Sequence, residues 1–205
     1  MSKYWLEIAQ EIQSIAQAGL EYCENDYDRE RYQQLRDLSV KIMHSITDIP
    51  LEKIKHLFAS EKGYQTPKVD VRGVVFRHGK ILMVKEKIDG KWTLPGGWAD
   101  VGLSPFENVV KEVNEEAGIE VKPVKLLAVI DKQKNNYPLD AFHIYKLFIL
   151  CEDSGQRTSK GMETDDVSWF SRNKIPQLSE NRISKEQIAQ MFEFYDNPTK
   201  EIICD

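Results

Sequence analysis

The chain has 205 residues, with 28 Lys and Arg against 33 Asp and Glu, and a formal net charge of −5. Hydrophobic residues make up 41% and charged residues 30%, a balance that supports one domain of ordinary size plus a small appendage. No apolar run exceeds five residues, far short of the roughly 18 that a membrane-spanning helix needs. Cys23, Cys151 and Cys204 are scattered and form no Cys-x-x-Cys pair. Neither a disulfide framework nor a local zinc site is expected, which suits a reducing compartment. Glu7 stands where a secretion signal would carry its apolar stretch, so a cytoplasmic location is expected.

The first third reads as helical. Trp5, Ile8, Ala9, Ile12, Ile15 and Ala16 recur at three-and-four spacing and predict one apolar helix face. A second set, Tyr32, Leu35, Leu38, Ile42, Met43 and Ile46, follows the acidic segment Asn25-Asp26-Tyr27-Asp28, which can cap a helix. Pro50 opens a short third helix with Leu51, Ile54, Leu57 and Phe58 inward, and Gly63 is placed to end it. Thr66-Pro67 breaks the pattern and marks the expected boundary, dividing the chain into a helical domain, 1–66, and a second domain, 67–205. The leader carries 8 Lys and Arg against 11 Asp and Glu, which argues against nucleic-acid binding. It is expected to pack on the main domain or on a second copy, and a homodimer follows from its small size.

Strand patterning begins after Thr66. Val69, Val71, Val74, Val75 and Phe76 lead into His78-Gly79, and Ile81 to Val84 follow, which predicts a hairpin. Further strands are expected over Val124 to Ile130, Phe142 to Cys151 and Val167 to Phe170. Helices are expected over Pro105 to Ala117 and Lys185 to Tyr195, the second opened by the capping box Ser184-Lys185-Glu186-Gln187 and stopped at Asn197-Pro198. Interspersed strands and helices predict an α+β fold with a mixed sheet covered by helices.

The chemistry concentrates between Leu94 and Ile119. Pro95-Gly96-Gly97 makes a tight turn whose bare backbone a ligand can approach closely. Ser104-Pro105-Phe106-Glu107 is a strong helix start, and Gly118 stands at the helix end. Between them Glu112, Glu115 and Glu116, at i, i+3 and i+4, put three carboxylates on one face. Like charges at that spacing cost about 0.2–0.5 kcal/mol per pair. A bound cation would offset this, and oxygen ligands suit Mg²⁺ or Mn²⁺ rather than zinc. The alternative is a solvated acidic helix surface.

Turn and helix together resemble the Nudix box, the pattern Gly, five residues, Glu, seven residues, Arg-Glu-apolar-x-Glu-Glu-x-Gly-apolar. Here those positions are Gly97, Leu103, Lys111, Glu112, Val113, Glu115, Glu116, Gly118 and Ile119; seven of nine agree. Leu103 and Lys111 depart from an acid and an arginine that usually interact. Leu103 cannot bind metal, and Lys111 keeps the charge without the planar fork. The resemblance runs from about Val69 to Tyr195 and implies a Nudix-like α/β/α sandwich. It also implies Mg²⁺ held by Glu112, Glu116 and the Gly96 carbonyl, with either Glu115 or Glu163 taking a proton from the attacking water.

The helical leader is similar to that of a bacterial Nudix subgroup that includes a CDP-choline pyrophosphatase of bacilli, a likeness carried by Tyr27 to Tyr32. The implied reaction is Mg²⁺-dependent hydrolysis of the diphosphate bridge in a nucleoside diphosphate linked to X, with CDP-choline giving CMP and phosphocholine. ADP-ribose or a nucleotide at an RNA end would keep the mechanism and change the substrate; a ligand-sensing module without turnover is the alternative of another class. Trp98 could stack on a nucleobase or belong to the core. Arg72 could meet a phosphate, or point to solvent and pair with Asp70. No Gly-x-Ser-x-Gly elbow, Walker loop or dinucleotide fingerprint occurs.

Overall fold

The computed structural model describes every residue other than Met1, Asp48, Asn136 and Leu139, and the side chains of Ser2 and Leu57 also lie outside the description. The expectation that Leu57 faces inward therefore falls outside the described residues. The chain forms two compact units, residues 1–68 with 139–143, and residues 69–138 with 144–205. The short segment 139–143 thus belongs with the leader, although it follows more than half of the second unit in sequence.

The first unit holds α1 (Ser2–Tyr22), α2 (Asp26–Ile46) and α3 (Leu51–Phe58). Asn25 caps α2 by accepting from the Asp28 amide at 2.8 Å, as its residue type predicts. The core joins Leu6, Ala9, Val40, Met43, Ile54 and Phe58. In α1 the buried face is rotated from the one expected: Leu6, Ala9, Gln13, Ala16 and Gln17 are inside, while Trp5 and Ile15 are 44% and 52% exposed. Two glutamines on the inward face hide it from a count of apolar residues. Gly63 lies beyond the helix, which already stops at Phe58, and takes its positive φ of 82° in the following turn.

The second unit is a mixed sheet between two helices. Its strands are β1 (Lys68–Arg77), β2 (Lys80–Glu86), β3 (Trp92–Thr93), β4 (Val121–Asp131), β5 (Ile144–Asp153), β6 (Thr164–Ser171) and β7 (Ile203–Cys204). The path runs β3-β2-β1-β5-β4-β7, with β6 also paired to β2. Pairing is antiparallel between β4 and β5 and parallel between β4 and β7. The β1–β2 hairpin turns through His78 and Gly79, both with positive φ, and Phe76 faces Ile81.

Helices α4 (Pro105–Ala117) and α5 (Lys185–Asp196) cover opposite faces. Alternate strand residues separate accordingly. Val74, Ile81, Met83 and Phe148 pack with Ile188, Met191 and Phe192 of α5. Val75, Leu82, Val84 and Ile149 pack with Val109, Val113 and Ala117 of α4. A sheet buried on both sides reads as continuous apolar runs, such as Ile81 to Val84. This is the α/β/α arrangement expected of the second domain. The strands β3 and β7, two residues each, had no periodic signal to predict them. Among the described residues no helix is long and apolar enough to cross a membrane.

Candidate active site

Helix α4 begins and ends as its sequence dictates. Ser104 accepts from the Glu107 amide at 3.2 Å while the Glu107 carboxylate accepts from the Ser104 amide at 2.8 Å. Gly118 closes the helix with φ 66°, and its amide donates to the Asn114 carbonyl. Between these caps the carboxylate face lies beside the glycine turn.

The turn is zipped onto β1. The Val71 and Gly73 amides donate to the Gly97 and Pro95 carbonyls at 2.9 and 2.8 Å, so the carbonyl of Gly96 between them is not part of that ladder. The Gly96 amide instead donates to Glu116 Oε2 at 2.8 Å. Gly96 has φ 144°, and a Cβ there would lie 2.0 Å from the Val71 carbonyl oxygen. At Gly97 a Cβ would meet Glu112 Oε2 at 2.9 Å. Gly96 is thus required by its close approach to backbone, while a side chain at Gly97 would displace the Glu112 carboxylate.

Glu112 and Glu116 face this turn in different surroundings. Glu116 is 7% exposed, and burial pushes its carboxyl up to about 7, with the charges of Glu86 and Glu112 adding to the rise. Arg72 and the Gly96 amide oppose it. Burial also raises Glu112, with Lys111 and Arg72 opposing the rise and Glu115 and Asp100 adding to it. Glu115 is half exposed and sits 3.2 Å from Lys111 Nζ, which also reaches Asp100 at 2.9 Å. Glu163 is exposed immediately before β6. Its neighbour Thr164 donates to the Glu116 carbonyl at 2.9 Å.

Arg72 does not point to solvent. It is 4% exposed, and its Nε and Nη2 donate to the two Asp70 oxygens at 2.7 and 3.0 Å while Nη1 donates to the Leu94 carbonyl at 3.1 Å. Asp70 also pairs with Lys146, a fully buried lysine. Trp98 is 52% exposed and forms a bridge to Asp70 through its backbone, so it lies at the surface of the site and outside the core.

Two further residues belong to this neighbourhood and carry no sequence signal. Glu86 ends β2 and is 5% exposed. It is paired with Arg182 at 2.9 Å; burial raises its carboxyl, Arg182 and Arg72 oppose the rise, and Asp89 and Glu163 contribute smaller upward effects. In the run Lys85-Glu86-Lys87 it reads as an ordinary charged strand end. Lys146 reads likewise as a surface lysine in a strand.

The donors present fit a hard divalent cation with an incomplete protein shell. Glu112 and Glu116 are all-oxygen donors, desolvated and mutually repelling, and the Gly96 carbonyl of the adjoining turn takes no part in the β1 ladder. Among the described residues no group of three His, Cys, Asp or Glu side chains could hold a metal ion, so the shell would need that carbonyl and water. Mg²⁺ commonly keeps several waters in this way.

The matches to known proteins follow the two units. A model described as a NUDIX domain matches residues 66–192, and one described as a UDP-X-like, N-terminal oligomerisation domain matches residues 3–58. The Bacillus subtilis (strain 168) protein YjhB, provisionally named an ADP-ribose pyrophosphatase, is 46% identical over 201 residues, 98% of this chain and 97% of its own. A crystal structure named as a UDP-X diphosphatase is 31% identical with a TM-score of 0.64, covering 100% of this chain and 99% of that one. An ADP-ribose pyrophosphatase structure from Streptococcus suis 89-1591 is 41% identical with a TM-score of 0.63, over 68% of this chain and 100% of that one. Fold, box residues and full-length relatives agree: this chain belongs to the Nudix family of hydrolases, as an enzyme of the nucleotide-diphosphatase class.

Proposed function

We propose that the protein hydrolyses the diphosphate bridge of a nucleoside diphosphate linked to a second group, with Mg²⁺ or Mn²⁺ as cofactor. The observation that carries this reading is the Glu112–Glu116 pair, two desolvated carboxylates held against the Gly96-Gly97 turn. Glu112, Glu116 and the Gly96 carbonyl would hold the cation, which supplies positive charge against the anionic bridge and acidifies an attacking water. The glycines leave room for the diphosphate to approach. Glu163 is the better candidate for accepting the water's proton, because the Glu115 carboxylate is engaged by Lys111. Trp98, half exposed beside the turn, would stack on a base. Arg72, its guanidinium locked by Asp70 and Leu94, presents positive charge behind the carboxylates rather than a mobile phosphate clamp.

ADP-ribose heads the substrate candidates, since the full-length relative at 46% identity carries that name. UDP-linked compounds follow from the second full-length likeness. CDP-choline, expected from the leader, and nucleotides at RNA ends complete the panel. The leader's match to an oligomerisation domain supports a homodimer, and the three free cysteines suit a cytoplasmic location. Incubation with Mg²⁺ and ADP-ribose, UDP-sugars, CDP-choline, nucleoside triphosphates and short RNA, with products identified by mass, tests the assignment. Turnover of one diphosphate-linked nucleoside above the rest is expected. Binding without turnover of any compound would overturn the enzymatic reading in favour of a ligand-sensing module.

A further inference from the structure

Lys111 sits beside the carboxylate face and is shared unequally among three acids. Its Nζ lies 2.9 Å from Asp100 Oδ2 and 3.2 Å from Glu115 Oε2, but 3.8 Å from Glu112 Oε1. A lysine ammonium is a compact charge on a flexible four-carbon stem, so its own covalent structure holds it to no particular acid. The asymmetry must come from the acids. Asp100 is the one of the three that lies outside α4, and it is fixed to that helix independently. Its amide donates to Asn108 Oδ1 at 2.7 Å. Asn108, 1% exposed, donates in turn to the Leu103 and Ser104 carbonyls at 3.2 and 3.1 Å. Leu103, where the box pattern carries an acid, has no charge with which to share the task.

We propose that Asp100 is a positioning residue that draws Lys111 away from Glu112 and so keeps that carboxylate available to the divalent cation. This rests on the reading of Glu112 as a metal ligand. Without Asp100, Lys111 has Glu115 and Glu112 as its remaining partners. At Glu112 its ammonium competes for the oxygens that a hard cation needs. The Asp100–Lys111 pair is partly exposed, with side-chain exposures of 53% and 38%, so its effect is modest and its loss leaves the fold intact.

Binding of Mn²⁺ alone to the full-length protein, followed by the electron paramagnetic resonance of the free ion, tests this without turnover. Asp100→Asn is expected to weaken Mn²⁺ binding about threefold to fivefold, the size an exposed ion pair can carry. Asp100→Glu should restore most of the affinity. Adding Lys111→Met to Asp100→Asn should return binding at least to the wild-type level, because the competitor has been removed. If Asp100→Asn weakens binding by the same factor with Lys111 present or replaced, Asp100 acts only through its own charge and the positioning role is overturned. Unchanged affinity in Asp100→Asn overturns it as well. Glu112→Gln separates the two readings: unchanged Mn²⁺ affinity there removes the metal assignment and the proposal together. A loss at Glu112 with no effect at Asp100 defeats the positioning role alone.

Discussion

Glu112 and Glu116 are one helical turn apart, yet only Glu116 accepts the Gly96 amide, while Glu112 lies against Gly97. The difference gives the two carboxylates separate consequences when neutralised. Glu112→Gln should remove a ligand charge and lower turnover at fixed Mg²⁺ by about a hundredfold, since changes even outside the ligand shell cost about 10- to 100-fold in affinity or activity. Near-normal steady-state rates in that variant would remove Glu112 from the metal shell. For the base, Glu163→Gln should depress kcat with KM retained, and Glu115→Gln should do less because its carboxylate is already committed to Lys111. The reverse ranking would transfer the role to Glu115. The spacing of these acids is written in the sequence because a helix converts i and i+4 into one face. Glu86 and Lys146 escaped notice because their burial depends on Arg182 and Asp70, which are 96 and 76 positions away along the chain.

At the scale of elements, α4 is the best-specified part of the molecule: a capping box, a proline at its first position and a left-handed glycine at its end all agree. Such local consistency makes its ends legible from residue types alone. Ser104→Ala should cost about 1 kcal/mol of stability through loss of the cap, with activity per folded molecule nearly kept. Gly96→Ala should behave oppositely. Its Cβ would meet the backbone carbonyl of Val71 at 2.0 Å, and backbone cannot swing aside as a side chain can. The turn must then leave β1, and turnover is expected to fall more steeply than thermal stability; a fully active Gly96→Ala enzyme would show that the turn has slack. Helix α1 illustrates the contrary case, where Gln13 and Gln17 occupy the buried face and Trp5 and Ile15 face out. Apolar counting fails there because the packing partner, α2, decides which stripe is inside.

Across the second unit as a whole, the least expected feature is a charged centre in a sheet otherwise filled by Val, Ile, Leu and Phe. Asp70 is shared between Arg72 and Lys146, so the second cation is incompletely compensated. Burial, helped by Arg72, pushes Lys146 down to about 7, while Asp70 pulls against the shift. In the unfolded chain the same lysine keeps its proton to about pH 10.4. Between about pH 7 and 10 the unfolded state therefore binds more protons than the folded one, and stability rises with pH in that window. Relative to Lys146→Met, the wild-type protein should gain up to about 1.4 kcal/mol per pH unit. Thermal melts of both proteins at pH 7, 8 and 9 check this; a constant difference would mean that Lys146 stays charged throughout.

The sequence by itself determined what depends on near neighbours: the two capped helices, the hairpin turning through His78 and Gly79, the alternation of strand residues, and the grouping of three glutamates on α4. Each follows from rules that act over about four residues. Only the tertiary structure decided which partners those groups meet. It seated Glu116 on the Gly96 amide, buried Arg72 between Asp70 and Leu94, exposed Trp98, and brought residues 139–143 to the leader. It also gave Lys111 a new acid in Asp100. These outcomes depend on contacts between distant segments, whose energies are comparable to one another and leave no periodic trace along the chain.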